Sequence, residues 1–347
     1  MTNQFNTAFI LSGGGTRLMI YLGMYAALEE LQMKPDVLIG TCGGAFATTV
    51  INSFSDNASR KEYMKSDEYF KFVTQVQLTK EKKLSRIGLL CLRKIQEKRN
   101  APFIEDVFSK YLVEMKQDLA SYFPTLANTK FSKEIPTILV GSEILFDREM
   151  TGQARANKKL YEKVLFTDET TASQINIEKI GVFSENYQKS AVSTSTKIRT
   201  DISMLTGTRI SVTDMFYVPP VSIDGKYYAG GAIDLIPVEL AQHIAKSVII
   251  ERKQTYSPVE EALVRAVLGY SGNQRLASIQ AQGLNLQIDT NNIKKELKGH
   301  YVKKDINWKK LEIAFSFPKS HKQFRSDMDK QWQYGFNQTI ASLQAKK

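Results

Sequence analysis

The sequence has few cysteine and histidine metal ligands, with two cysteines and three histidines in 347 residues. Cys42 and Cys91 are too few for a disulfide framework, and neither has a partner at zinc-ligand spacing, so no structural metal or cofactor is implied. No stretch approaches the ~20 apolar residues of a membrane-spanning helix. The N-terminal "MTNQFNTAFILSGGG" lacks a basic leader and meets glycines after a short apolar run, which is not a secretory signal. A cytoplasmic location is expected, with peripheral membrane contact and specialised secretion both compatible with it. Internal repeats, low-complexity linkers and a firm domain boundary are also missing. One α/β domain over residues 1–347 with a helical insert is therefore the economical expectation.

What is present is an ordinary globular composition, 42% hydrophobic and 24% charged. Lys and Arg outnumber Asp and Glu by 47 to 36, a net charge of +11 that suits either plain solubility or a polyanionic partner such as an acidic membrane surface. Nucleic acid is not expected, because the chain carries neither an aromatic-basic RNA-binding pattern nor a DNA-reading motif.

"TAFILS" (7–12) reads as a strand, and "GTRLMIYLGMYAALEEL" places Leu18, Leu22, Tyr25 and Leu28 at helical spacing. "DVLIGT" followed by "CGGAFATTVI" repeats that strand–loop–helix order, as expected of two βα units in a parallel sheet. Residues 58–125 are mostly helical in pattern and form a candidate insert or lid. "IPTILVGSEILF" and "KIGVF" have strand character, and "KIRTDISMLTGTRI" reads as a helix ending near Gly207. Asp224-Gly225 marks a hairpin turn, "PVELAQHIA" a helix, "SVIIER" a buried strand and Ser257-Pro258 a helix start. Residues 252–305 end in a basic loop, "NNIKKELKGHYVKKDINWKK", before "LEIAFSF" and a closing helix.

Three stretches bear on chemistry. "SGGGTR" (12–17) follows the first strand and opens a helix, yet lacks the spacing of a dinucleotide loop or a phosphate loop. It is either a tight turn or an oxyanion hole, since backbone N–H groups at a helix start favour negative charge. "GTCGG" (40–44) has small residues two before and two after Cys42, as a sharp nucleophile elbow demands. An isolated cysteine of this kind is as well explained as a buried filler. "YYAGGAIDLIP" (227–237) is a strand running into a Gly-Gly loop and, by itself, only a loop.

In their order and spacing, "GGGTRL", "GTCGG" and "AGGAIDLIP" resemble the motifs of the patatin-like phospholipase family, lipid acyl hydrolases with a Ser-Asp dyad. The resemblance implies a three-layer α/β fold, a mainly parallel central sheet flanked by helices, here with a basic helical insert. It also implies an oxyanion hole at Gly13, Gly14, Gly15 and Thr16, and turn-forming residues at Arg17, Gly40, Gly44, Gly230 and Gly231. The departures lie at the reacting groups: Cys42 stands for the nucleophilic serine, Ala229 for the dyad aspartate, and Leu18 for the glycine ending the first loop.

A serine would be inert without its base, whereas a thiol with a reference pKa of about 8.5 at a helix N-terminus depends on one less. Hydrolysis of the resulting thioester still calls for a base. Asp224 belongs to a hairpin turn and Asp234 to a loop it is expected to brace, and His243, His300 and His321 read as surface or structural residues. The missing base favours a scaffold with impaired catalysis that binds lipid or an acyl ester. The alternative is an active cysteine-dependent acyl hydrolase or acyltransferase using Cys42. The basic segment 80–99 supplies the candidate membrane contacts Lys82, Lys83, Arg86, Arg93 and Lys94.

Overall fold

The computed structural model describes residues 5–13, 17–85, 93–95, 100–180, 185–282 and 286–344. Apolar runs rich in Val, Ile and Leu supply the central strands β1 (Phe5–Leu11), β2 (Val37–Thr41), β5 (Thr137–Ile144) and β10 (Ala245–Arg252). Every residue of β2 and β5 is buried, which is why their sequences read as continuous apolar runs and not as alternating ones. Outside these lie β6 (Tyr161–Phe166), β7 (Val192–Arg199) and β11 (Leu286–Asp289), giving the order β11-β10-β1-β2-β5-β6-β7. Pairing is parallel from β11 to β5, antiparallel between β5 and β6, and parallel again between β6 and β7. Helices α1 (Met19–Glu30) and α2 (Gly43–Ser53) return the chain from β1 and β2, and the closing helix His321–Gln344 packs on α1. The result is a mixed α/β fold whose mainly parallel sheet is flanked by helices.

The sheet forks where the site lies. Along one edge of β5, Thr137–Val140 pairs with Leu38–Thr41 of β2. Beyond that point β2 has ended, and the hairpin of β8 (Val221–Ile223) and β9 (Lys226–Ala229) takes over, with Ala229, Tyr228 and Tyr227 opposite Ser142, Glu143 and Ile144. The turn is the expected one, with φ 50° at Asp224 and 75° at Gly225.

Three local expectations need correction, and a fourth falls mostly outside the described residues. Helix occupies only α3 (Asn57–Tyr63) and α4 (Asp67–Thr74) in the first part of 58–125. From Gln75 on, the described residues include helical residues at 84–85 and 93–95, the short antiparallel pair β3 (Gln77–Leu78) and β4 (Val113–Glu114), and three 3-10 turns, two of them opened by the caps Thr79 and Asp118. In "KIRTDISMLTGTRI", Lys197–Arg199 completes β7, whose β-branched run continues from Val192, and the helix is Met204–Ser211, capped by Ser203, with Gly207 inside it. For "KIGVF", Lys179 ends a 3-10 turn and residues 181–183 lie outside the described residues. The basic loop contains a strand, β12 (Lys303–Asn307), paired with β13 (Glu312–Ser316) in a separate hairpin.

Candidate active site

β2 ends at Thr41 and α2 begins at Gly43, which leaves Cys42 alone in the turn at φ 49° and ψ −126°. A Cβ on Gly44 would stand 1.7 Å from the Leu11 carbonyl oxygen, and one on Gly40 would stand 2.8 Å from the Ala45 Cα. Glycine is therefore required on both sides by the crowding of β1, β2 and α2. The Cys42 N–H donates to Ser211 Oγ at 2.9 Å, and that hydroxyl donates to the Val140 carbonyl at 2.6 Å, which ties the elbow to β5. Thr41 Oγ1 donates to the Leu235 carbonyl at 2.7 Å. Part of Cys42 remains open to solvent.

The thiol faces a carboxylate. Cys42 Sγ donates to Asp214 Oδ2 at 2.9 Å across 172 residues of sequence. Asp214 lies just past the Met204–Ser211 helix, in a turn closed by its carbonyl, which accepts from the Tyr217 and Val218 N–H groups at 2.9 and 3.2 Å. Fully buried Arg209 clamps this turn by donating to the Lys116 and Pro219 carbonyls and to Thr213 Oγ1. Burial pushes the Asp214 carboxyl up to about 6, against the hydrogen bond from Cys42 and the Ala232 N–H, and its Oδ1 is buried without a hydrogen bond. Burial, and then the charge of Asp214, push the Cys42 thiol well up, with Lys253 the opposing cation. The resting pair at neutral pH is therefore thiol and carboxylate.

Ala229 ends β9 and carries no acid, but its glycines make the new pairing possible. A Cβ on Gly230 would fall 2.6 Å from the Thr213 carbonyl carbon, and one on Gly231 would fall 3.1 Å from the Cys42 nitrogen. The strand that takes over beside β5 thus delivers the Thr213–Asp214 segment to the elbow, and the Gly230 N–H donates to Thr213 O at 2.6 Å. Nothing in "SVTDMF" marks Asp214 by sequence, since a Thr-Asp pair in a loop carries no spacing signal.

Gly13, at the start of the first glycine loop, lies against the same centre. A Cβ on Gly13 would meet Cys42 Sγ at 3.1 Å, and Lys253 Nζ donates to the Gly13 carbonyl at 2.6 Å. Lys253 also donates to Tyr21 Oη at 2.8 Å and pairs with buried Glu251, so the loop's first residue is fixed to the end of β10. Gly14, Gly15 and Thr16 lie outside the described residues. Arg17 stacks over the Tyr301 ring at 5.6 Å. Tyr256 lies close enough that Asp214 and Cys42 add to the burial that raises its phenol.

The other acids and the histidines are engaged elsewhere. Asp224 pairs with Arg199 at 3.2 Å, and buried Asp234 lies between Lys163 and Arg275 at 2.9 and 3.4 Å. His300 pairs with Asp327, and His321 with Asp67 and the Lys65 carbonyl. Among the described residues, no three His, Cys, Asp or Glu side chains are gathered as a metal would need. A groove of about 830 Å³, lined by Tyr111, Arg148, Tyr227 and Pro219 among others, contains neither Cys42 nor Asp214.

The membrane candidates do not form one cationic face. Lys94 is buried in an ion pair with Glu105, which removes it from any surface. Lys82 pairs with Glu312 at 3.3 Å, Lys83 and Arg93 are exposed, and Arg86 lies outside the described residues. No described helix is long and apolar enough to cross a membrane.

The sequence model of the patatin-like phospholipase family matches residues 9–241. No curated protein matches the chain. Among solved structures it is similar to human GIVD cytosolic phospholipase A2, with 11% identity and a TM-score of 0.39 over 99% of this chain and 60% of that one. It is similar also to VipD from Legionella pneumophila, with 14% identity and a TM-score of 0.37 over 99% of this chain and 67% of that one. The chain therefore spans less than two thirds of the human enzyme's length.

The buried carboxylate has a consequence for stability. Its pKa of about 6 in the fold, against 3.8 ordinarily, means that folding favours the protonated acid. That contribution is present in full below the ordinary value and is lost as pH rises through the folded one, at a cost of roughly 2–3 kcal/mol. Asp214→Asn escapes the cost. Its unfolding free energy in urea should exceed the wild type's at about pH 7 by roughly that amount, with the gap closing towards pH 4.

Proposed function

The chain belongs to the patatin-like phospholipase family, and from that premise we propose that it is a cysteine-dependent lipid acyl hydrolase, or acyltransferase, whose dyad is Cys42 and Asp214. The observation that carries this reading is the 2.9 Å contact between Cys42 Sγ and Asp214 Oδ2 at a strained elbow. Asp214 supplies the carboxylate whose loss at Ala229 argued for impaired catalysis.

The chemistry follows from the protonation states. A carboxylate with a pKa of about 6 is ionised at neutral pH and is a stronger base than an ordinary aspartate. As Sγ attacks the ester carbonyl carbon, Oδ2 accepts the thiol proton, so no free thiolate need form beside the negative charge. The C–O bond of the ester breaks, and the departing alkoxide takes the proton from Asp214. The acyl group is left as a thioester on Cys42. Water, or an acceptor alcohol, then loses its proton to Asp214 as its oxygen attacks the thioester carbonyl, the C–S bond breaks, and the departing sulfur takes that proton from Asp214 to restore the thiol and the carboxylate. The family resemblance assigns the negative oxygen formed in each step to the glycine loop that begins at Gly13, whose carbonyl accepts from Lys253.

The test is turnover of a short-chain ester and of phospholipid vesicles, with intact mass measured in parallel. Wild type should turn over with a limb that rises near pH 6, and Cys42→Ala should be inactive. Asp214→Asn should lose a factor of roughly 10²–10⁴ in turnover while an acyl adduct accumulates on Cys42, because the base for the second step is gone. Absence of both turnover and adduct in the wild type would leave a ligand-binding scaffold and defeat the proposal.

Thiol reactivity should move the opposite way. With the carboxylate's charge removed, Cys42 of Asp214→Asn should ionise more readily and be alkylated by iodoacetamide at about pH 7.5 roughly tenfold faster than in the wild type. An unchanged rate would mean that Asp214 does not act on the thiol in solution.

A further inference from the structure

The β12–β13 hairpin has no role in the dyad, yet it concentrates the exposed apolar side chains. Trp308 is 71% exposed, Leu311 58% and Ile306 40%, all within six residues, whereas the other large exposed apolar side chains are scattered singly over the described surface. Ile306 sits opposite Ile313 across the hairpin, and Trp308 and Leu311 flank its tip. The tip itself is Lys309-Lys310, and Lys303 and Lys304 stand at its base, all four exposed. The acids of the hairpin are neutralised, Asp305 by Lys303 at 3.0 Å and Glu312 by Lys82 at 3.3 Å. Exposed Lys80 and Lys83 come from the adjoining segment, held on by the Leu84 N–H donating to the Leu311 carbonyl at 2.8 Å.

We infer that this hairpin docks the protein on an anionic lipid surface, with Trp308 and Leu311 entering the headgroup layer and the lysines meeting the lipid phosphates and carboxylates. Tryptophan and lysine are the side chains that settle at this boundary, the indole because it is apolar with one polar edge and the ammonium because its apolar stem lets the charge reach the headgroups. A protein interface of this size would more often be poor in lysine at its centre. The positive charge without free acids selects an anionic surface over a neutral one.

The hairpin is also mechanically close to the dyad. Lys304 Nζ hydrogen-bonds Tyr217 Oη and lies 5.1 Å from the centre of that ring, and the Tyr217 N–H closes the turn on the Asp214 carbonyl. A membrane engaged by the hairpin would therefore lie beside the turn that carries Asp214. This docking does not depend on the acyl chemistry, and Cys42→Ala should bind vesicles as the wild type does.

The full-length protein is titrated with phosphatidylcholine vesicles containing about 30% phosphatidylserine, and with pure phosphatidylcholine, at low salt. Co-sedimentation with the anionic vesicles alone is expected, together with a blue shift of tryptophan emission. The shift should vanish in Trp308→Phe, because the other tryptophan, Trp332, is buried in the core. Lys309→Gln and Lys310→Gln should each weaken binding roughly fivefold, and raised salt should weaken it further. Hydrolysis of a soluble short-chain ester should be unaffected by these tip variants, so a failure of docking and a failure of the dyad are separable. The inference falls if anionic vesicles neither sediment the protein nor shift its emission. It falls equally if Trp308→Ala combined with both lysine changes binds as the wild type does, or if the patch instead supports a dimer seen by light scattering.

Discussion

Cys42 holds φ 49° and ψ −126° between the end of β2 and the start of α2, a conformation that costs a residue with a side chain of order 1–3 kcal/mol. It persists because the surroundings leave no alternative. The α2 backbone at Gly44 lies directly on the Leu11 carbonyl of β1, and Ser211 accepts the Cys42 N–H while donating to β5. The three strands that meet here are among the most deeply buried in the molecule, so relaxing the turn would mean opening the core. The side chain is thereby lifted clear of the strand, where a second element must meet it.

That element arrives because the sheet forks. β2 stops as a partner of β5 at the elbow, β9 replaces it, and the glycines after Ala229 let the Thr213–Asp214 turn approach within contact of Cys42. The buried carboxylates around the site are then treated differently by their neighbours. Lys163 and Arg275 hold Asp234 below the usual range, and Lys253 does the same for Glu251. Among the described residues Asp214 has no cation in contact, and its burial raises it. Cation-paired acids brace the scaffold, whereas an unpaired buried acid against a thiol is poised to exchange a proton.

Much of this was legible along the chain. β1, α1, β2 and α2, the Asp224-Gly225 hairpin, β10 and the closing helix follow from apolar period and turn chemistry, which are local and strong in those segments. The elbow glycines were legible for the same reason, because crowding at a sharp strand-to-helix turn depends on residues within two positions of Cys42. Local reading failed at 77–78, at 113–126 and in the stretch before β13. There the pairing of β3 with β4 and of β12 with β13 overruled the local helical composition.

By itself the sequence determined the first two strand–helix units, the buried strand β10, the closing helix and the glycines that the elbow at Cys42 requires. It left open what would stand beside the thiol. Only the tertiary structure decided that, because Asp214 and Cys42 are 172 residues apart and no periodicity or motif links them. Their contact comes from where β9 enters the sheet and from how closely Gly230 and Gly231 allow two backbones to approach. The pKa of Asp214 was likewise a product of the fold, since the same side chain in water would be an ordinary acid.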